Sequence, residues 1–215
     1  MPISQWEQAA VERYAEAHTT PDPPLLNQLV RETHLKTTMP RMLSGPLQGA
    51  LLSLLTRLIR PTKILEIGTF TGYSALCLAQ GLAPEGKLIT IDCNEETSEI
   101  ARRYFAQAGL ADKINILLGD AAQILPTLNE VFDLVYIDAD KRRNADYYQM
   151  VLPKVRPEGL ILIDNVLWSG KVLSPDPTDK DTAAIVAFNR MVQEDSRVKN
   201  LLLPIRDGLM IVQKL

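Results

Sequence analysis

The chain has 215 residues, which is enough for one α/β domain with a sizeable core and too few for two. With 46% hydrophobic residues, 23% charged residues and a net charge of −3, it has an ordinary globular composition, which argues against a general nucleic-acid or membrane-surface binder. We expect neither a signal peptide nor a membrane span, because no apolar run reaches the roughly 20 residues that a bilayer requires.

The first 60 residues are predicted to form a helical cap segment. Apolar residues recur there every three to four positions, which predicts helices over 3–18, 23–35 and 45–60. Prolines stand near the start of the second helix, where a missing N–H costs little, and Pro61 ends the third. Residues 61–215 are expected to form the core of the same single domain.

Strands and helices alternate after Pro61. Strands are predicted over 63–68, 87–92, 114–120, 132–138 and 159–165, and helices over 72–82, 95–109, 121–128, 145–155 and 181–195. Asp181 or Thr182 is the expected N-cap of the last helix. This alternation predicts a parallel sheet covered by helices on both faces.

The last two predicted strands, over 198–205 and 208–215, break this alternation. Only Arg206 and Asp207 separate them, and so short a connection cannot contain a crossover helix. We therefore expect an antiparallel hairpin at one edge of the sheet.

A glycine-containing turn follows the first strand and opens a helix, in the stretch "LEIGTFTGYS". Gly68 and Gly72 allow a tight turn and a close approach of a ligand to the helix N-terminus. Asp92 ends the next strand, where a carboxylate can accept hydrogen bonds from a ribose diol. The middle glycine of a pyrophosphate-binding turn is missing, and Glu66 is expected to repel phosphates. S-Adenosylmethionine, an adenosine with a cationic amino-acid tail, fits this pattern better than NAD.

Charged and polar side chains follow two later strands. Asp138 ends one strand, and Asp164 and Asn165 end the next. Because neighbouring parallel strands end at the same edge of a sheet, these side chains are predicted to converge. Two carboxylates and an amide oxygen suit Mg²⁺, Mn²⁺ or Ca²⁺. The alternative is that these residues cap loops and helices.

Further chemistry is limited by the residue inventory. His18 and His34 are the only histidines, which argues against a histidine triad or a multi-histidine metal site. Cys77 and Cys93 form no disulfide framework, and a reducing cytoplasm is expected. Three positions after Asp138, Lys141 is either a surface lysine or a general base.

The motifs "LEIGTFTGYS", "DADK" and "IDNVLWSGKV", in this order, closely resemble the cation-dependent class I O-methyltransferases, the caffeoyl-CoA O-methyltransferase-like enzymes related to catechol O-methyltransferase. The resemblance runs from about Met42 to the C-terminus. It implies a Rossmann-like class I methyltransferase fold with a seven-stranded, mostly parallel sheet. It also implies methyl transfer from S-adenosylmethionine to a hydroxyl oxygen, and assembly as a homodimer.

The resemblance assigns roles residue by residue. It implies cofactor contacts for Met42, Ser44, Glu66, Gly68, Thr69, Ser74, Asp92, Ala121, Asp138 and Asp140. It implies metal ligation by Asp138, Asp164 and Asn165, with Lys141 as the catalytic base. Trp168 and Ser169, with Lys141, are expected at the substrate, although Trp168 also suits a core position.

The chain departs from the plant members of this family in ways that bear on the substrate. Arg142, Arg143 and Asn144 stand where the plant enzymes have Asp-Asn-Tyr, and Ser169 replaces an Asn that meets substrate. With a short N-terminal extension as well, a small aromatic vicinal diol such as a catechol or polyphenol is expected rather than a coenzyme A ester.

Two alternatives to this substrate class remain. In the first, a hydroxyl on a modified tRNA uridine is the acceptor, with a basic rim formed by Arg142, Arg143, Lys154 and Arg156. In the second, the chain is an NAD-dependent oxidoreductase.

Overall fold

The structure is a computed structural model that describes residues 5–176 and 178–215, so the first two residues of the predicted helix over 3–18 lie outside the described residues. Its seven strands form one sheet. They are β1 (Lys63–Ile67), β2 (Lys87–Asp92), β3 (Ile114–Leu118), β4 (Phe132–Ile137), β5 (Val155–Asp164), β6 (Val198–Leu203) and β7 (Leu209–Lys214). The strand order is β3-β2-β1-β4-β5-β7-β6. The first five strands are parallel, and β7 is antiparallel to both β5 and β6. The predicted mostly parallel sheet with a C-terminal antiparallel hairpin is confirmed.

Eight α-helices accompany the sheet in the described part of the chain. They are α1 (Gln5–Ala17), α2 (Pro24–Lys36), α3 (Pro46–Ile59), α4 (Tyr73–Ala79), α5 (Glu95–Gln107), α6 (Ala121–Ile124), α7 (Asn144–Val151) and α8 (Lys180–Glu194). The predicted cap of α8 was wrong. Asp179 is the N-cap, because its carboxylate accepts hydrogen bonds from the backbone N–H groups of Asp181 and Thr182.

Two hydrophobic cores lie on opposite faces of the sheet. Successive side chains of a strand point to opposite faces. Leu65, Val135 and Ile161 pack in the core that includes residues of α7 and α8. The intervening residues Ile64, Leu134 and Leu162 pack in the core that includes residues of α2, α4 and α5. Helices therefore cover both faces, as predicted.

Strand β5 begins at Val155, four residues earlier than predicted. Val155 pairs with Phe132, and the register shifts before the next pair, Leu134 with Leu160. This irregularity accommodates Pro157, which has no N–H for a regular ladder. Arg156 donates to the Asp133 carboxylate across the irregular region at 2.7 Å.

One segment, Pro40–Ile59, passes the length and composition criteria for a membrane-spanning helix, with 20 residues and an 18-residue window of mean hydropathy 1.2. Arg41, Gln48 and Arg57 interrupt its apolar residues, so it does not contradict the expectation that no unbroken apolar run reaches this length. The segment is not one continuous helix, because extended backbone at Leu43 and Gly45 separates a 3₁₀ turn from α3. Its apolar residues include Leu52, which is buried in the domain core, and Gly49, which lies close to the Tyr73 ring of α4.

The topology fixes where a ligand can approach. From β1 the chain builds outward through β2 and β3, and it then returns to add β4 on the other side of β1. The carboxyl ends of β1 and β4 flank the point at which the strand order reverses, which is where open α/β sheets bind ligands.

Candidate functional site: two adjacent carboxylates beside the glycine turn

The two predicted metal-binding carboxylates lie on neighbouring strands. Ile137 of β4 pairs with Ile163 of β5. The next residue in each case is an aspartate, so Asp138 and Asp164 lie side by side at the carboxyl ends of the two strands. Asp164 is buried, with 3% of its surface exposed. Burial, together with the negative charge of Asp138, raises the pKa of its carboxyl to about 6. The two carboxylates therefore interact as like charges, as the sequence predicted.

Asp164 is held by three donors within the protein. Its Oδ2 accepts hydrogen bonds from Gln48 Nε2 at 2.7 Å and from the Tyr136 hydroxyl at 3.1 Å. Its Oδ1 accepts from the backbone N–H of Asn165 at 2.8 Å. Gln48 was not among the predicted site residues, although a polar residue on the buried side of α3 was a signal for it.

The side chain of Asn165 is oriented by Asp207. The backbone of Asn165 is left-handed, with φ of 60°, and its Nδ2 donates to Asp207 Oδ2 at 3.4 Å. Because the amide nitrogen is the donor in this contact, the amide oxygen stays available as an acceptor or metal ligand.

These residues fit a divalent cation. The donors are two carboxylates and one amide oxygen, which is the hard oxygen set that Mg²⁺, Mn²⁺ and Ca²⁺ prefer. The Lys141 ammonium lies 2.5 Å from Asp138 Oδ1, so this position already stabilises a positive charge. Within residues 5–176 and 178–215, no three His, Cys, Asp or Glu side chains form a metal-binding group.

The glycine turn contacts the carboxylate edge directly. Gly68 has φ of 101°, and a Cβ atom there would lie 2.0 Å from the backbone oxygen of Asp138. A Cβ at Gly72, with φ of 91°, would lie 2.7 Å from the Phe105 ring. The sequence suggested glycines that admit a ligand. The structure shows that both are required by close packing within the protein.

Glu66 lies beneath this turn in a fully buried position. Its Oε2 accepts a 2.5 Å hydrogen bond from Thr90, whose hydroxyl also lies 2.5 Å from that of Thr69. Burial raises the pKa of Glu66 to about 8, against the lowering effect of Thr90 and Ser74. The raised pKa favours the neutral form of Glu66 at pH 7, which weakens the charge repulsion of phosphates that the sequence led us to expect.

The buried Oε1 of Glu66 has no hydrogen-bond partner among the described residues. An unpaired buried polar atom costs free energy unless a ligand or water satisfies it. The expected methyl donor carries an amino group, so this orphaned oxygen fits such a ligand.

The remaining predicted cofactor residues surround the same edge. Asp92 ends β2, and its two carboxylate oxygens accept from the backbone N–H groups of Phe70 at 2.7 Å and Asn94 at 2.9 Å. This confirms that Asp92 caps the turn, and its contact with a ribose stays a prediction. Ser74 and Ala121 are buried at the starts of α4 and α6. In the segment before α3, Ser44 is buried and Met42 is exposed.

We expect Glu66→Gln to stabilise the ligand-free protein increasingly as the pH rises. Below the ordinary pKa of 4.5 the carboxyl is protonated in both the folded and unfolded states. Between 4.5 and 8 only the unfolded state ionises, so this carboxyl weakens folding by roughly 1.4 kcal/mol per pH unit. The effect becomes constant above pH 8, where both states are ionised. Urea unfolding at pH 5, 6, 7 and 8 measures the difference.

The exposed Glu85 provides the control for this experiment. At pH 7 and 8 the gain in stability should be larger for Glu66→Gln than for Glu85→Gln, because only Glu66 is buried. Equal pH profiles for Glu66→Gln and the wild type would show that Glu66 ionises normally in the folded protein.

The predicted catalytic and substrate residues line a small cavity of about 220 Å³ next to Asp138. Its lining residues are Asp140, Lys141, Arg142, Trp168 and Asp181. Lys141 and Trp168 are thus brought together, as expected, whereas the exposed Ser169 is not in the lining. A larger groove of about 800 Å³ lies between α7 and α8 and contains none of the predicted site residues.

The basic rim predicted for tRNA binding does not form. Arg142 and Arg143 lie beyond the carboxyl end of β4, whereas Lys154 and Arg156 lie at the amino end of β5, on the opposite edge of the sheet. All four are also engaged within the protein. Their acceptors are Asp181, Asp120, the Leu128 carbonyl and Asp133.

Comparisons with known proteins agree with this arrangement. A sequence model of the O-methyltransferase family matches residues 15–215. The chain is 38% identical over 156 residues to a catechol O-methyltransferase of Mycobacterium tuberculosis, covering 72% of this chain and 69% of that protein. It is 32% identical over 218 residues to caffeoyl-CoA O-methyltransferase 1 of Eucalyptus globulus, covering 96% and 89%. The SAH-bound methyltransferase PaMTH1 of Podospora anserina superposes with a TM-score of 0.92 at 28% identity, covering 100% and 98%.

Proposed function

Because the chain belongs to the O-methyltransferase family, we propose that it methylates one of two vicinal hydroxyls of a small catechol or polyphenol, using S-adenosylmethionine and a divalent cation. The observation that carries this proposal is the side-by-side position of Asp138 and Asp164, next to a cavity lined by Lys141 and Trp168. Homodimer assembly and a cytoplasmic location stay predictions.

Asp138, Asp164 and Asn165 would hold the cation. When bound, a divalent cation supplies Lewis acidity, which lowers the pKa of a coordinated hydroxyl. The protein prepares this set by fixing two of its three members. Gln48 and Tyr136 hold Asp164, and Asp207 turns the Asn165 amide.

Lys141 is placed to move the acceptor's proton. Its Nζ lies at Asp138 and lines the cavity, so the same side chain can reach both a ligand carboxylate and an acceptor hydroxyl. A general base must lie within hydrogen-bond reach of the proton that it removes. In the proposed step the Lys141 ammonium first loses a proton to solvent, and the neutral Nζ then receives the hydroxyl proton before or during methyl transfer.

The cavity supports a small acceptor. Its volume of about 220 Å³ and the half-buried Trp168 suit a single aromatic ring. The Trp168 indole N–H is buried and has no acceptor among the described residues.

Methyl transfer from labelled S-adenosylmethionine tests the proposal. Catechol, its monophenol analogue phenol, and an undermodified tRNA are compared, each with Mg²⁺ and with EDTA. We expect turnover of catechol with Mg²⁺, and a rate lower by at least about 100-fold for phenol or with EDTA, because both changes remove chelation. Undiminished turnover in EDTA, or transfer to tRNA alone, would contradict the proposal.

A further inference from the structure

We propose that the turn between β6 and β7, residues 204–208, is a positioning element for the metal ligands and the acceptor loop. Arg206 acts through Gln48 on Asp164, and Asp207 acts on Asn165 and on the loop 167–169. The inference rests on the proposed function, since it concerns the same cation. Sequence analysis treated these two residues only as the connection of a hairpin.

Asp207 contacts two parts of the site at once. Its Oδ2 accepts from Asn165 Nδ2 at 3.4 Å, and its Oδ1 accepts from the backbone N–H of Ser169. Its backbone oxygen also accepts from Leu167 N–H at 2.9 Å. Asp207 thus fixes the side-chain amide of Asn165, a proposed metal ligand. It also fixes the backbone on both sides of Trp168, the aromatic residue of the acceptor cavity.

The loop that Asp207 holds has an unfavourable backbone. Trp168, Ser169 and Gly170 all have positive φ, at 50°, 54° and 77°. Left-handed backbone at non-glycine residues is strained and persists only where surrounding contacts stabilise it. The charged acceptor at Ser169 N–H is such a contact.

Arg206 reaches the other metal ligand through one intermediate. Its Nη1 donates to Gln48 Oε1 at 3.0 Å, which leaves Gln48 Nε2 to donate to Asp164 Oδ2 at 2.7 Å. Because the guanidinium has only donors, it fixes which end of the Gln48 amide faces Asp164. Arg206 therefore ensures that a donor, and not an amide oxygen, meets the Asp164 carboxylate.

The same guanidinium holds the segment before α3. Arg206 Nη2 donates to the Leu43 carbonyl at 3.3 Å, and a Cβ at Gly45 would lie 3.2 Å from Arg206 Nε. This segment contains Met42 and Ser44, the residues expected to close over the cofactor. The turn thus contacts the ligand set, the acceptor loop and the cofactor segment, although its own side chains belong to none of them.

The affinity for Mn²⁺ provides a test that does not depend on turnover. Free Mn²⁺ is measured by electron paramagnetic resonance during titration of the full-length wild type, Asp207→Asn and Arg206→Met. We expect both variants to bind Mn²⁺ about 10–100-fold more weakly, the usual effect of losing a partner that orients a metal ligand. S-Adenosylhomocysteine affinity, measured by calorimetry, should change less than about twofold for Asp207→Asn.

Asp195→Asn is the matched control. Asp195 precedes β6 at the opposite end of the same hairpin, and its carboxylate is engaged by Arg197 at 2.6 Å and by the Tyr148 hydroxyl at 2.9 Å. Losing these contacts should lower the melting temperature without changing Mn²⁺ affinity. If Asp207→Asn fails to fold, the Mn²⁺ affinity of Arg206→Met tests the proposal instead, because this variant keeps the aliphatic part of the side chain and leaves Asp207 in place.

The outcomes separate the two proposals. A wild-type protein that does not bind Mn²⁺ would refute the proposed cation, and this inference with it. A wild type that binds Mn²⁺, together with a folded variant that binds it equally well, would refute the positioning role alone. Weaker Mn²⁺ binding in Asp195→Asn of the same size would also overturn it, since the effect would then not be specific to the turn.

Discussion

Asp138→Asn should lower kcat/KM for a catechol by about 10³-fold, because it removes one of two charged ligands from a cation that supplies several kcal/mol of transition-state stabilisation. The substitution is isosteric. The backbone oxygen of Asp138, which packs against Gly68, stays in place, and asparagine keeps a side-chain oxygen for the cofactor contact expected of Asp138, so S-adenosylmethionine should still bind. Initial rates over a range of catechol and Mg²⁺ concentrations, with calorimetry for the methyl donor, measure both quantities.

The control for this prediction lies on the same strand. Asp133, at the amino end of β4, accepts hydrogen bonds from Arg156 at 2.7 Å and from the Thr62 backbone N–H at 2.7 Å. Asp133→Asn should destabilise the fold and leave kcat/KM per folded molecule unchanged. If Asp138→Asn kept wild-type activity, or if EDTA-treated wild type turned over at the full rate, the metal assignment would be wrong.

The convergence of Asp138 and Asp164 was predictable because it depends on two general rules. Apolar, β-branched runs predict buried parallel strands, and neighbouring parallel strands end at one edge. The pairing of Ile137 with Ile163 confirms the register on which that prediction depends. The same rules placed Asp92 and the glycine turn at this edge.

The contacts that orient these ligands were not predictable in this way. Gln48 and Asp164 are 116 positions apart, and Gln48 and Arg206 are 158 apart, so no local pattern relates them. The raised pKa of Glu66 also depends on burial that only the packed domain provides. Local spacing predicted which residues end the strands, whereas tertiary packing decides their partners and their ionisation.

Gly68→Ala should destabilise the protein by about 3–5 kcal/mol, among the largest effects that a single methyl group can produce. Two costs add at this position. A non-glycine residue at φ of 101° is strained, and the new Cβ would lie 2.0 Å from the Asp138 oxygen and 2.8 Å from its carbonyl carbon. Backbone atoms cannot rotate away as a flexible side chain can, so β1 and β4 must separate at the cofactor edge. Urea unfolding followed by circular dichroism measures the loss.

Gly109→Ala measures the cost of backbone strain without a steric clash, so it separates the two costs expected at Gly68. Gly109 follows α5 with φ of 69°, and a Cβ there would meet nothing within 4 Å. Its cost should be only about 1 kcal/mol, the penalty for a left-handed alanine alone. Equal destabilisation by the two variants would show that the Gly68 backbone relaxes without moving Asp138. The alternative result is a larger loss of folding free energy for Gly68→Ala, with weaker binding of Mn²⁺ and S-adenosylhomocysteine by the folded fraction. That result would show that Gly68 sets the distance between the glycine turn and the carboxylate edge. Both proposed ligand sites depend on that distance, because the residue whose carbonyl Gly68 contacts is also a proposed metal ligand.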